Sequence, residues 1–249
     1  MQAGAGLARG GLAQLLGNWE HRAGEDWSDR VGSWLDASGL DGWVVQREVL
    51  DPAQYAEMWL RDGGQSREQD PATWDAAVTA WLDDFARRGV QGGGLGFVVL
   101  RRPSGAATRR RGEEQRGPAA GPLGAHLARA LAAHDVLAGA DDDALLELRL
   151  AVAPDVTEER HLRPGATGPE VILLRQGGGF GRTVSVGTAL AGLVGACDGE
   201  LTVGQLVGAV GAVLELPVAE LRAELVPALR GLVRDGLLEP VGLTAPRSG

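Results

Sequence analysis

The sequence predicts an α/β fold for residues 1–102 and an α+β fold for the C-terminal part of the chain. In the first part, short apolar stretches typical of strands alternate with segments of helical periodicity. Ten of the eleven aromatic residues lie between Trp19 and Phe97, which leaves only Phe180 for the rest of the chain. The stretch 103–121 between the two parts is rich in Arg, Gly and Pro, which is typical of a linker.

Strands and helices alternate along residues 1–102. Apolar spacing predicts a strand, a helix, a strand, two helices and a strand, at residues 13–19, 26–36, 42–46, 51–61, 70–89 and 95–100. Asp51 and Gln54 form a capping-box pattern with Pro52 at the first helical position, so we expect a helix to begin there. The last strand follows two helices, which indicates a helical insertion before it.

The C-terminal part divides into a connecting region, 122–169, and a region, 170–242, in which predicted helices and strands follow one another closely. The connecting region predicts a helix over 122–138 and a strand over 146–152. The region 170–242 predicts a hairpin, three helices and a final strand, at residues 171–174, 183–186, 187–196, 202–214, 217–235 and 236–240. This order is typical of a winged helix, so residues 170–242 are expected to fold alone, followed by a tail at 243–249.

Composition and charge exclude several classes of protein. The net charge of −9 argues against a protein that coats nucleic acid. Six arginines between Arg101 and Arg116 could contact phosphates, but a solvated linker is the favoured interpretation. No apolar run approaches the roughly 18 residues of a membrane-spanning helix, and the N-terminus does not have the pattern of a signal peptide. The single Cys197 fits a reducing compartment, so a cytoplasmic location is expected. The four dispersed histidines predict no metal site.

Three short segments carry a resemblance to a known family: Ala13–His21 (AQLLGNWEH), Gln46–Val49 (QREV) and Tyr55–Asp62 (YAEMWLRD). Together they resemble the later part of an actinobacterial class I S-adenosylmethionine-dependent methyltransferase. In that family the sheet closes with a parallel fifth strand, a helix, a sixth strand and an antiparallel seventh strand. The resemblance covers about residues 7–102, so the first part of the chain is expected to contain only the last strands of such a sheet.

The resemblance implies transfer of a methyl group from S-adenosylmethionine to a nitrogen of a protein or nucleic-acid acceptor. Such enzymes work mainly by positioning donor and acceptor. In the family, the cofactor loop and an Asn-Pro-Pro-Tyr-type motif precede the fifth strand, and here almost nothing precedes it. We therefore expect the chain to correspond to the C-terminal half of an enzyme, to bind no cofactor alone and to be inactive alone. No catalytic residue is assigned.

The substrate-proximal candidates are Asn18, Trp19, Glu20 and His21, which follow the strand that resembles the family's fifth strand. Ligands of open α/β sheets bind beyond the carboxyl ends of the strands, so these side chains are expected to face the acceptor side of a pocket. The alternative is that Asn18 and Glu20 cap the next helix and that Trp19 packs in the core. Residues 46–48 (Gln, Arg, Glu) could contribute from the next strand or form a solvated salt-bridge network.

Two glycine-rich segments, 92–96 and 177–181, each spell G-x-G-x-G. A dinucleotide fingerprint requires a strand, then the glycine loop, then a helix, and neither segment has this context. Both are therefore interpreted as permissive turns, and no cofactor-binding residue is assigned. The segment 51–54 (DPAQ) superficially resembles the Asn-Pro-Pro-Tyr motif, but a helix start explains it.

The alternative function is a non-catalytic interaction module. Residues 170–242 are similar to the small winged-helix chaperone of pyrroloquinoline quinone biosynthesis, and to the C-terminal domain attached to these actinobacterial methyltransferases. The predicted helix Val218 to Asp235 carries a balanced set of arginines and acids, unlike a typical DNA-reading helix. A protein partner is therefore favoured for this module.

Overall fold

The computed structural model describes residues 6–107, 109–116, 119, 121 and 123–242. The chain forms two compact units, Met1–Gly117 and Pro118–Gly249, here called unit 1 and unit 2. Within the described ranges the protein is a mixed α/β structure with eight helices and three small sheets. The predicted helix start at Pro122 and the predicted tail at 243–249 lie outside the described residues.

Unit 1 contains one four-stranded sheet. Its strands, in chain order β1 to β4, are Leu12–Arg22, Asp41–Leu50, Val90–Arg101 and Arg110–Glu114. The spatial order is β1-β3-β2-β4, with β1 at one edge. Strand β3 is antiparallel to both β1 and β2, so β1 and β2 run parallel to each other, and β4 runs parallel to β2.

Three helices cover the sheet of unit 1: α1 (Trp27–Asp36), α2 (Pro52–Asp62) and α3 (Pro71–Arg88). Asp51 and Gln54 form the predicted capping box at the start of α2, which confirms that helix start. Helix α3 begins after Asp70, which accepts from Thr73 N, and ends at Gly89 in the left-handed conformation (φ 67°).

Helix α1 lies on one face of the sheet, and α2 and α3 lie on the other. Val31 and Leu35 of α1 pack with Trp19, Val44 and other strand residues in one apolar cluster. Phe85 of α3 and Ala56 of α2 form a second cluster. Both faces of the sheet are therefore covered by helices, as is usual for an α/β fold.

The glycines at 92–96 lie inside β3, so their interpretation as a turn was wrong. A Cβ on Gly94 would lie 2.4 Å from Trp19 Nε1, and a Cβ on Gly93 would lie 2.2 Å from the Tyr55 ring. Neighbouring strand residues face opposite sides of a sheet, so bulky rings rest on β3 from both sides. Glycine is required because the rings occupy the space of a side chain, and not because the backbone turns.

Strand β4 lies within 103–121, which the composition predicted to be a linker. It pairs with β2 over Gly42–Gln46, opposite Arg110–Glu114. The guanidinium carbons of Arg109 and Arg111 lie 4.5 and 5.0 Å from the centroid of the Trp43 ring. Strand β4 packs against the sheet through arginines that make cation–π contacts with an aromatic ring. Because its packing residues are not apolar, the sequence shows no alternation of apolar and polar residues that would predict a strand.

Unit 2 has five helices and six short strands among its described residues. The helices α4 to α8 are Leu123–Ala138, Asp142–Glu147, Thr188–Gly195, Val203–Leu214 and Val218–Arg234. The strands β5 to β10 are Arg149–Val152, Val156–His161, Val171–Gln176, Thr183–Val186, Asp198–Thr202 and Leu238–Pro240. They form two three-stranded antiparallel sheets, ordered β10-β5-β9 and β6-β7-β8.

The predicted hairpin of β7 and β8, the capping box of Thr202 and Gln205, and the start of α8 after Pro217 are confirmed. The strand predicted over 146–152 is half wrong, because α5 continues to Glu147 and only the second half is β5. Asp141 caps α5 by accepting from Ala144 N. The leucines that alternate with polar residues after it favoured a strand, so this helix start was missed.

The region 122–169 contributes to the same core as 170–242. Leu145 of α5 and Leu150 of β5 are fully buried in one apolar cluster with Leu193, Leu225 and Leu229. Strand β5 is the central strand of its sheet, between β10 and β9, and β6 pairs with β7. The boundary predicted at residue 170 therefore cuts through two sheets and one core.

No helix in the described part of the chain is long and apolar enough to span a membrane.

Candidate functional site

The four candidates were expected to follow the strand, but all four lie within β1 and pair with β3. They fall on opposite faces of the sheet, because strand residues alternate. Trp19 and His21 face α1, where both stack against Trp27. Asn18 faces the other side and lines a cavity beside α2. The structure therefore brings Trp19 and His21 together and separates them from Asn18.

A buried glutamine joins the two aromatic candidates. Trp19 Nε1 donates to Gln46 Oε1 at 2.7 Å, and His21 Nε2 lies 2.7 Å from the same oxygen. Gln46 is 1% exposed and Trp19 is 4% exposed, whereas His21 is only partly buried. On the far side of the amide, Gln46 Nε2 lies 3.5 Å from Glu114 Oε1. We call Trp19, His21 and Gln46 the indole–imidazole cluster.

Trp27, at the start of α1, fixes the orientation of the two rings. The Trp19 and Trp27 rings are stacked, with centroids 5.3 Å apart and an interplanar angle of 14°. The His21 ring lies 6.2 Å from the same indole, at an interplanar angle of 30°. Asp26 caps α1 by accepting from the hydroxyl and the backbone N–H of Ser28, and these bonds lower the pKa of Asp26. Asp26 is thus the residue that caps α1, and the alternative role of Asn18 and Glu20 as its caps is wrong.

Glu20 belongs to an ion-pair network. It is hydrogen-bonded to Arg88 of α3 and to Arg22, and Arg30 lies 3.7 Å away. Burial raises the pKa of Glu20, but the hydrogen bonds from Arg88 and Arg22 outweigh it and lower the pKa below its ordinary value. An ionised carboxylate held by several arginines serves to join α3 to the end of β1.

A cavity of about 440 Å³ lies between α2 and the β1 edge of the sheet. Its lining is apolar except for two side chains, Asn18 and Asp62. The other lining residues are Leu16, Gly17, Met58, Trp59 and Leu95. Leu16 is 80% exposed and stands beside the cavity on the edge strand. An apolar cavity with two polar groups is suited to an apolar segment that also carries a hydrogen-bonding group.

Residues 46–48 do not act together. Gln46 is central to the indole–imidazole cluster, whereas Glu48 is exposed at a bulge in β2. A buried Trp needs an acceptor for its N–H, and Gln46 supplies it for Trp19. Among the described residues, no group of three or more His, Cys, Asp and Glu side chains could hold a metal ion.

The comparison with protein families gives one match. A family model described as a domain of unknown function (DUF7782) matches residues 128–240. The matched residues begin within α4 and end with β10, so the match lies wholly in unit 2. No curated protein matches the chain.

Proposed function

We propose that unit 1 is the C-terminal part of the catalytic domain of an S-adenosylmethionine-dependent methyltransferase that methylates a nitrogen of a protein or nucleic acid. The observation that carries the proposal is the order of strand directions. Strand β1 is followed by helix α1, by β2 parallel to β1, and by the antiparallel β3. This is the order that the resemblance implies for the last three strands of the family's sheet.

The edge of β1 supports the same proposal. Strand β1 pairs on one side only among the described strands, and residues 12–19 carry no charge. Exposed edges of soluble proteins are usually protected by charges, proline or a bulge. Leu12, Leu15 and Leu16 are exposed on this strand, and Leu16 lines the apolar cavity. In the proposed enzyme a strand of the segment that carries the cofactor loop pairs with this edge.

The two glycine-rich segments of this chain do not match the cofactor loop that the family uses to bind S-adenosylmethionine. Neither glycine-rich segment stands between a strand and a helix: residues 92–96 lie within β3, and residues 177–181 connect β7 to β8. Neither segment therefore places glycine backbone at a helix N-terminus, as the family's cofactor loop does. The proposed enzyme therefore takes its cofactor site from another segment, and no chemical step is assigned to residues of this chain.

The test compares this chain with a version extended by the in-frame coding region upstream of Met1. The proposal expects that region to encode an acidic residue followed by Gly-x-Gly-x-Gly, and then an Asn-Pro-Pro-Tyr-type motif. Calorimetric titration should give micromolar binding of S-adenosylmethionine to the extended protein and none to the present chain. Tight binding by the present chain, or an upstream region without these motifs, would refute the proposal.

Two matched variants test the edge of β1. Leu16→Lys places a charge on the strand that should pair with the cofactor segment, so cofactor binding by the extended protein should fall at least tenfold. Val213→Lys places the same charge on a side chain that is 81% exposed in unit 2, and it should leave cofactor binding unchanged. Equal effects of the two substitutions would argue against the pairing.

A second candidate function concerns unit 2, whose winged-helix-like arrangement we propose to be a protein-interaction module. The observation that favours it is an exposed apolar corner between α7 and α8. Val213 is 81% exposed, and Leu216 and Val218 are each about half exposed. Glu215, in the left-handed conformation (φ 55°), fixes the turn. Exposed apolar patches of this kind mark interaction surfaces.

The charges around the corner indicate the chemistry of the partner. Glu215 and Glu220 are the charged residues of the exposed segment 212–220, so a basic amphipathic segment is its complement. The three arginines of α8 pair with acids: Arg222 with Asp143, Arg230 with Asp142 at 3.0 Å and Arg234 with Asp235 at 3.6 Å. These ion pairs argue against phosphate binding by α8 and favour a protein partner.

Fluorescence anisotropy with two labelled helical peptides tests this second candidate. The peptides share one apolar face and carry either arginines or glutamates on the other. We expect the basic peptide to bind, and Val213→Asp to weaken its binding at least tenfold, while Leu16→Asp in unit 1 leaves it unchanged. Equal binding of both peptides, or no effect of Val213→Asp, would contradict the proposal.

A further inference from the structure

We infer that Gln46 selects, for the neutral form of His21, the tautomer protonated at Nε2, in which Nδ1 is presented as a hydrogen-bond acceptor to an amide or amino group of a ligand. This inference rests on the proposed function for the identity of the ligand, because a nitrogen that is methylated carries N–H groups. The proton on Nε2 follows from the geometry of unit 1 alone. Gln46 is a positioning residue in this arrangement.

The indole of Trp19 fixes the orientation of the Gln46 amide. An indole N–H can only donate, so the Gln46 atom 2.7 Å from Trp19 Nε1 must be the carbonyl oxygen. The amide NH₂ then faces Glu114 Oε1, which accepts. In the flipped amide, the NH₂ group would face the Trp19 N–H, donor against donor. The carbonyl oxygen would face Glu114 Oε1, acceptor against acceptor. The indole and the carboxylate thus exclude the flip.

The orientation of Gln46 in turn determines the tautomer of His21. His21 Nε2 lies 2.7 Å from Gln46 Oε1, and a carbonyl oxygen only accepts, so Nε2 carries a proton. A neutral imidazole has one N–H, so Nδ1 holds a lone pair. The structure thus assigns the donor role to Nε2, and in the neutral ring the acceptor role falls to Nδ1.

The ring is held in place but remains accessible. Stacking on Trp27 and the bond to buried Gln46 restrict its rotation, while His21 itself is only partly buried. Gly92 lies opposite His21 on β3 and adds no side chain beside the imidazole. An oriented acceptor at the carboxyl end of a strand is the kind of group that positions a donor ligand.

Nitrogen-15 NMR of the intact chain tests the tautomer directly. In the neutral form of labelled His21, we expect the Nε2 resonance of a protonated nitrogen and the Nδ1 resonance of an unprotonated one. The Trp19 Nε1 and His21 Nε2 protons point at the same oxygen, so a nuclear Overhauser cross-peak should connect them. A proton on Nδ1, or no such cross-peak, would overturn the inference.

Two substitutions test whether Gln46 positions His21 by its hydrogen bond or only fills space beside it. Glu114→Gln keeps an acceptor oxygen for the Gln46 amide, and it should retain the His21 Nε2 proton and the cross-peak. Gln46→Leu fills a similar volume without an acceptor, and it should abolish the cross-peak and speed exchange of the His21 ring proton at least tenfold. An unchanged cross-peak in Gln46→Leu would contradict the role of Gln46.

Acetamide serves as the probe for the ligand class. Titration with acetamide should shift the His21 Nδ1 resonance in the wild-type chain, because Nδ1 accepts from the amide N–H. An Nδ1 resonance that does not move would overturn the assigned ligand class and leave the tautomer result standing. Neither measurement involves S-adenosylmethionine, so their failure is distinguishable from failure of the proposed function.

Discussion

Gly94 lies directly beneath Trp19. A Cβ on Gly94 would stand 2.4 Å from Trp19 Nε1 and 2.4 Å from Gln46 Oε1, both closer than real Cβ contacts come. The indole–imidazole cluster therefore depends on the missing side chain of a residue in the neighbouring strand. The position of the ring, the hydrogen bond to Gln46 and the identity of residue 94 form one structural unit.

The substitution Gly94→Ala should destabilise unit 1 by about 1–3 kcal/mol, because the added methyl group must displace the indole or the amide. Urea unfolding followed by tryptophan fluorescence measures this loss. Gly32→Ala is the matched control: nothing lies within 4 Å of a Cβ on Gly32, which is inside helix α1. There alanine should stabilise by about 0.5–1 kcal/mol through helix propensity. The same sign for both would contradict the packing argument.

Glu20 should make the stability of unit 1 depend on pH in the acid range. Its folded-state pKa is lowered below the ordinary 4.5 by Arg88 and Arg22, despite the opposing effect of burial. The stabilisation is therefore complete above the ordinary pKa, and it is lost as the pH falls through the folded pKa, where the unfolded state binds more protons.

Glu20→Gln should lower the free energy of unfolding at neutral pH and flatten its fall below about pH 4.5. Unfolding curves at a series of pH values measure both effects. Glu57→Gln removes only the exposed pair with Arg61, and it should change stability by less than about 0.5 kcal/mol. A pH profile unchanged by Glu20→Gln would show that the network adds nothing.

Cys197 should be nearly inert in the folded chain. Burial, followed by the neighbouring charge of Asp198, raises the pKa of the thiol to about 11 from 9.0. Near pH 8 the thiolate fraction falls about 100-fold, and access to the buried sulfur is lost as well. Labelling by a disulfide reagent should therefore be at least 100-fold slower than in urea-unfolded protein. Equal rates would mean that unit 2 opens readily around α6.

The fragment 118–249 should fold alone, whereas the fragment 170–249 should not. The shorter piece lacks β5, the central strand of one sheet, and loses the fully buried Leu145 and Leu150. Cooperative thermal unfolding and dispersed amide resonances should be seen only for the longer piece. A cooperative transition in fragment 170–249 would restore the boundary that the sequence predicted.

Local signals were read correctly from the sequence. The capping boxes of Asp51 with Gln54 and of Thr202 with Gln205 are each contained in four residues, so their pattern is complete in the sequence. Strand β3 was predicted only over 95–100, because its glycines have no strand propensity of their own. Their place in the sheet depends on the rings of Trp19 and Tyr55, which are distant in sequence.

The candidate site was located only in part for the same reason. The sequence pointed to Trp19 and His21 but placed them after the strand, whereas both lie within β1. Gln46 is separated from them by 27 and 25 residues. Its role appears only when the register of β1, β3 and β2 is known, since one residue of slippage would turn Gln46 to the opposite face. Alternation along β1 likewise divides Asn18 from Trp19, which sequence proximity had grouped together.

The position of β10 in the chain has a consequence for synthesis on the ribosome. Residues 238–240 supply one of the two neighbours of β5, so α6, α7 and α8 must all be translated before that strand is paired on both sides. Until then Leu150 and the apolar faces of the nascent helices remain exposed to water, a state in which partly made chains aggregate or recruit chaperones. Unit 2 therefore completes its structure late in its own translation, and pausing before residue 238 would prolong the period in which it is vulnerable.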